Sequence, residues 1–236
     1  AEPAQSLLDH HHQICAQATR IQIDRPGAPR LECATYGSGT PVLLLGGLVM
    51  QYDVMWRLQM QALGERHKLI MFHLPGCGGA ELPPAFDIDH LVTDLHDLLE
   101  QLGIHQPVPV IGYSFGGVLA QAFALAHPQR CAGLCITVSS PFSEGAGNFP
   151  VLMRELQKSP RFMTLNRGWN MPALPAYQQV IGDFDLRPRL PALRCPCRII
   201  CGSDDAYQPP AYAALIADAV PHAKLIEVAG AGHLRP

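Results

Sequence analysis

Ser114 lies between Gly112 and Gly116 in the run Gly112-Tyr113-Ser114-Phe115-Gly116. A serine hydroxyl is a poor nucleophile at its free pKa and needs a base beside it. Further along, Gly230-Ala231-Gly232-His233 carries an imidazole and Gly202-Ser203-Asp204-Asp205 carries carboxylates. Brought together, these three types of side chain do acyl chemistry. The serine oxygen attacks a carbonyl carbon, the imidazole takes its proton and returns it to the leaving group, and the acid fixes the imidazole tautomer. The spacing alone is weak, because Gly-x-Ser-x-Gly also occurs as an ordinary glycine-rich turn.

The surrounding pattern sharpens it. Val108-Pro109-Val110-Ile111 reads as a strand leading into Ser114, and Gly117 to Ala126 as the helix that follows. A strand-to-helix corner this tight strains the serine backbone and tolerates only small residues two positions away. It also points the first N–H groups of the helix at whatever the serine attacks. Asp205 follows the apolar run Arg198-Ile199-Ile200-Cys201, and His233 follows Leu225-Ile226-Glu227-Val228. Each sits just past a strand end.

Strands are expected at Thr19–Asp24, Leu31–Tyr36, Val42–Leu45, Leu69–Phe72, Val108–Tyr113, Gly133–Val138, Cys197–Gly202 and Ala223–Val228. The central runs are almost continuously apolar, which suits a parallel sheet covered on both faces. The first two are mixed and suit an antiparallel edge hairpin across Arg25-Pro26-Gly27-Ala28-Pro29. Helical periodicity covers Val54 to Leu63, Asp89 to Leu102, Gly117 to Ala126 and Pro210 to Val220. Strand and helix alternate, so the expected class is α/β: a mostly parallel eight-stranded sheet with helices on both faces. Pro141 to Leu190 breaks the rhythm with Pro150, Pro160, Pro172 and Pro175. It reads as a small inserted helical cap, against a plain long connection. The domain plan is a core of residues 19–140 and 191–236, a cap of 141–190, and a polar N-terminal segment of 1–18.

The chain has 236 residues, 48% of them hydrophobic and 16% charged, with a net charge of −3. That suits one domain with a substantial core. No run of Lys or Arg points to nucleic acid or to an anionic membrane, and no apolar stretch approaches the ~20 residues that span a bilayer. Ala1 to Arg20 is polar and unlike a secretion leader, although a leader already removed stays open. The 8 cysteines lack paired C-x-x-C spacing, so no metal is expected, and a reduced, cytoplasmic setting is.

Three further stretches carry a resemblance to the α/β-hydrolase fold superfamily, of the serine esterase and thioesterase type, from about Leu31 to His233. Pro41-Val42-Leu43-Leu44-Leu45-Gly46-Gly47-Leu48 resembles the strand and loop that supply its oxyanion hole, with Gly46 where a histidine is usual. Leu74-Pro75-Gly76-Cys77-Gly78-Gly79 resembles the following Pro-Gly loop, with His73 and Cys77 replacing the usual Asp and His. Asp205 followed by Pro209 resembles the acid loop, and the chain order Ser, Asp, His is that of the family.

The resemblance implies Ser114 as nucleophile, His233 as base and Asp205 as acid. The oxyanion would rest on the N–H groups of Phe115 and Leu48, and Gly47, Val49, Tyr113, Phe142 and Trp169 would lie around the substrate. The residues themselves leave Asp204 and Glu144 open as the acid. His73 reads as a structural hydrogen-bonding residue and Cys77 as a packing thiol. Trp169, Phe149, Phe162, Met153, Met163 and Met171 fit an acyl pocket or simple cap packing equally well.

The implied activity is a cofactor-free serine hydrolase acting on an ester or thioester. Acyl transfer or cyclisation on the same residues, and a non-enzymatic ligand-binding member, stand as alternatives. The family also has a further helix beyond the histidine loop. With the Ala/Gln-rich start, this suggests a domain of a biosynthetic enzyme whose acyl group arrives as a thioester on an acyl carrier protein.

Overall fold

The computed structural model describes residues 13–48, 50, 52–143, 151, 171–182 and 184–234. Eight strands form one sheet in the order β1-β2-β4-β3-β5-β6-β7-β8. They are β1 (Thr19–Arg25), β2 (Ala28–Tyr36), β3 (Thr40–Leu45), β4 (His67–Phe72), β5 (Val108–Tyr113), β6 (Cys131–Thr137), β7 (Cys197–Gly202) and β8 (Ala223–Val228). β1 and β2 pair antiparallel, as do β2 and β4, and every other neighbouring pair is parallel. All the expected strands are present, with small shifts at their ends. β6 stops at Thr137 because Val138 turns to a φ of 45°.

Alternation along the strands divides the core. Leu43, Leu45, Ile70 and Phe72 face one side, where they meet α3 (Ile88–Gln101) and α4 (Phe115–Ala126). Val42, Leu44, Leu69 and Met71 face the other, against α1 (Tyr52–Met55) and α2 (Arg57–Leu63). Successive strand residues point to opposite faces, so one apolar run feeds both layers. Ile14, within the expected polar N-terminal segment of 1–18, is buried on the α1–α2 side.

The expected single helix from Val54 to Leu63 is divided at Trp56, which adopts φ −107° and ψ 6°. Its side chain is buried with Val42, Leu44 and Met60, so packing on the sheet overrides uniform helix geometry. α3 matches its apolar stripe, burying Leu91, Val92, Leu95, Leu98 and Leu99, and Asp87 caps it by accepting the His90 N–H at 2.8 Å. α4 is buried on nearly every side, as a helix must be when it fills the centre of one layer.

Most of 144–170 lies outside the described residues, and with it Glu144, Phe149, Met153, Phe162, Met163 and Trp169. From the described part of the expected cap comes α5 (Leu174–Ile181), whose Tyr177 is fully buried and donates to the Pro75 carbonyl at 2.8 Å. α6 (Pro210–Ala219) links β7 to β8. No helix among the described residues is long and apolar enough to cross a membrane.

Candidate active site

The strand order reverses direction at β3: β4 lies on one side of it and β5 on the other. Crevices open beyond the carboxyl ends of strands at such a switch point. Ser114 leaves the end of β5 there, Leu48 follows β3, Asp205 follows β7 and His233 follows β8.

Ser114 has φ 54° and ψ −120°, a conformation that costs a non-glycine residue about 1–3 kcal/mol. Its N–H donates to the Thr137 carbonyl at 2.9 Å and its carbonyl accepts from Gly117 at 2.8 Å, which pins the corner from both sides. Neither flanking glycine tolerates a side chain. A Cβ on Gly112 would collide with the Gly116 carbonyl, and one on Gly116 with the Leu45 carbonyl. Phe115 opens α4, so its N–H has no acceptor one turn earlier in the helix.

The three candidate side chains form one line. Ser114 Oγ lies 3.0 Å from His233 Nε2, and His233 Nδ1 lies 2.9 Å from Asp205 Oδ2. Asp205 Oδ1 accepts the N–H groups of Tyr207 at 2.9 Å and Gln208 at 2.7 Å, so both carboxylate oxygens are occupied. Asp205 is 3% exposed and His233 2% exposed. Asp204, left open by the sequence, instead accepts from the Ser203 hydroxyl in an exposed position. Tyr207 meets the His233 ring edge-on at 4.9 Å, and burial, with Asp205 nearby, pushes its phenol up to about 12.

Tyr113 is placed differently from the expectation. It is absent from the pocket wall and belongs to the core on the α1–α2 face, because the residue before Ser114 points to the opposite side of the sheet. Its buried hydroxyl donates to the main-chain carbonyl of His233. Gly47 packs beside Ser114, where a Cβ would lie 3.6 Å from the serine Cβ. Leu48, Phe115 and Phe142 line the pocket, whereas Val49 and Trp169 lie outside the described residues.

The pocket wall that holds Ser114 has two characters. Leu48, Phe115, Val118, Phe142, Ile181 and Phe184 make an apolar side, and Ser139, Ser140, Ser143, Tyr207, Gln208 and Tyr212 a polar one. Phe142 is fixed by the edge of Tyr212 at 5.1 Å and the Arg187 guanidinium over its ring at 4.4 Å. Val118, Ser139, Gln208 and Phe184 were missed by sequence reasoning. Val118 and Gln208 lie within four residues of Ser114 and Asp205, which was the available signal.

Two residues from the Pro-Gly loop stand apart from this line. His73 Nδ1 lies 2.7 Å from Glu32 Oε1, and its ring stacks on Tyr52 at 5.0 Å. Cys77 is fully buried, and burial pushes its thiol up to about 12, far from a reactive thiolate. All eight cysteines are free thiols. Among the described residues no group of three or more His, Cys, Asp or Glu is placed to hold a metal ion.

Over 97% of its length the chain is 27% identical to polyketide synthase ThaQ of Burkholderia thailandensis, of which it spans only 12%. It is also 27% identical to a pimeloyl-[acyl-carrier protein] methyl ester esterase of Chromobacterium violaceum, over 84% of this chain and 89% of that one. A solved hydrolase from Pseudomonas aeruginosa superposes with a TM-score of 0.80 at 20% identity, covering 92% of each chain. The alpha/beta hydrolase fold family is matched directly over residues 40–174, more than half of the sequence. With that match, the switch-point crevice and the strained serine corner, the chain belongs to the alpha/beta hydrolase fold family.

Proposed function

We propose that the protein is a serine hydrolase that cleaves an ester or thioester through an acyl-enzyme. One observation carries this reading: the continuous Ser114–His233–Asp205 line of 3.0 and 2.9 Å, held at a strained corner. With the Nδ1 proton held on Asp205, the Nε2 lone pair faces the Ser114 O–H. Ser114 Oγ then bonds to the substrate carbonyl carbon as its proton passes to Nε2. The oxyanion sits on the N–H groups of Phe115 and Leu48. Collapse breaks the carbonyl bond to the leaving oxygen or sulfur, which takes the proton from Nε2. Water then attacks the acyl carbonyl carbon and gives its proton to Nε2, the bond to Ser114 Oγ breaks as Oγ takes that proton back, and the free acid leaves.

Residues 19–140 and 191–236 act as the catalytic core, with 141–190 as a cap. Ile181 and Phe184 on the pocket wall support that role. An acyl group delivered on a carrier protein is supported by the likeness to a polyketide synthase and to an esterase named for a carrier-bound ester.

The test is turnover of p-nitrophenyl esters and acyl thioesters. Wild type should give a burst of p-nitrophenol and then free acid, and Ser114→Ala should lose about 10³-fold or more. A cyclic or transferred product in place of free acid would reassign the second half-reaction.

A further inference from the structure

The amino ends of β6 and β7 carry a pair of thiols that the catalytic line does not use. Cys131 Sγ lies 3.7 Å from Cys195 Sγ, although the two residues are 64 apart in sequence. Both sit on the α3–α4 side of the sheet, Cys131 within the core and Cys195 packed against it. The main chain holds each in place. Cys131 opens β6, in register with Val108 of β5. The Cys195 carbonyl accepts from His222 Nε2 at 2.7 Å, and the carbonyl of the next residue, Pro196, accepts the Leu134 N–H at 2.8 Å.

The two thiols differ in access and acidity. Cys131 is 5% exposed, whereas Cys195 is half-buried. The hydrogen bond from Cys131 holds the Cys195 thiol below its ordinary value. The same contact, together with burial, pushes the Cys131 thiol up. A reachable thiol with added thiolate character, beside a second thiol, is the arrangement in which oxidation ends in a disulfide. The sulfurs are already in contact, and bonding draws them in to about 2.05 Å. Cys197, two residues further on, does not compete: it is fully buried, and burial above all pushes its thiol up to about 12.

We propose that Cys131 and Cys195 are an oxidative modification site that closes reversibly to a disulfide, with a small-molecule disulfide as the oxidant. The Cys195 thiolate attacks one sulfur of the oxidant and expels the other half as a thiolate. The Cys131 sulfur then attacks the Cys195 sulfur of this mixed disulfide, and the remaining half of the oxidant leaves. The two thiol protons go to the expelled thiolates, so the protein loses two hydrogens and the oxidant becomes two thiols. The new bond closes a loop that contains all of residues 141–190 and removes chain entropy from the unfolded state. The six residues of β7 put about 20 Å between this site and the acid loop at the other end of the strand. Oxidation here stabilises the fold and leaves the Ser114 line untouched.

The experiment treats native protein with oxidised glutathione, alkylates the remaining thiols, and reads the digest by mass spectrometry. One linked peptide pair is expected, Cys131 to Cys195, reversed by dithiothreitol. The oxidised form should melt about 5 °C or more above the reduced form. Its kcat/KM on p-nitrophenyl esters should stay within about twofold. Cys195→Ser, at the half-buried position, and separately Cys131→Ala should each abolish the link and the gain in Tm, with melts of the reduced variants checking that they fold. Oxidised native protein with both thiols still free overturns the inference. So does a glutathione adduct that persists on Cys195 while Cys131 stays free. A link that forms without raising Tm overturns the stabilising role, and a larger fall in kcat/KM on linking overturns its separation from the active site.

Discussion

Tyr113 ties the corner that carries the serine to the loop that carries the imidazole, through its hydroxyl on the His233 carbonyl. Burial, with Asp205 close by, pushes the phenol up, so it remains a protonated donor at any working pH. Tyr113→Phe leaves that carbonyl without its donor. We expect a loss of about 1–3 kcal/mol in urea unfolding and of about 10- to 100-fold in kcat as the imidazole drifts. Unchanged kcat with lowered stability would make the tyrosine purely structural. Its role was hidden in the sequence, since an aromatic between two glycines carries no mark of which sheet face it takes. Ser114 and His233 were legible because few residue types do this chemistry and each follows a strand. Asp204 and Asp205 could not be separated by type, and only side-chain direction tells them apart.

Elements hold these groups by close approach. The β5–α4 corner works because Gly116 lets α4 lie directly against the Leu45 carbonyl of β3. Gly116→Ala must push the helix off the sheet, and we expect a loss of several kcal/mol or failure to fold, read by soluble yield and thermal melting. At the neighbouring end of β2 and β4, burial disfavours the Glu32 charge. The hydrogen bonds from the Gly79 N–H and Gln22, together with His73, outweigh this and set its carboxyl below its usual 4.5. A carboxyl lowered in the folded state stabilises above its unfolded value, and that contribution disappears as pH falls through the folded value. The Tm gap between wild type and Glu32→Gln should therefore be open at neutral pH and narrow below about 4.5. A gap constant down to acid pH would contradict the assignment. Strands and the α3 stripe were legible because hydrophobic period reports burial. The break at Trp56 was not, because it depends on what the indole packs against.

At the scale of the molecule, the sheet gathers groups that the chain keeps far apart. Ser114 and His233 are 119 residues apart in sequence and 3.0 Å apart in space. Local pattern revealed the class of the fold but not the strand order, because the crossover that places β3 between β4 and β5 leaves no periodic trace. That reversal is what opens the crevice where the loops after β3, β5, β7 and β8 converge. The central claim is that convergence makes the Ser114 hydroxyl a nucleophile. A fluorophosphonate probe reads this directly, by mass spectrometry of the labelled peptide. We predict one adduct, on Ser114, that disappears in Ser114→Ala and on unfolding and is strongly slowed in His233→Ala. Folded protein that takes up no probe, or takes it up at another residue, would contradict the account.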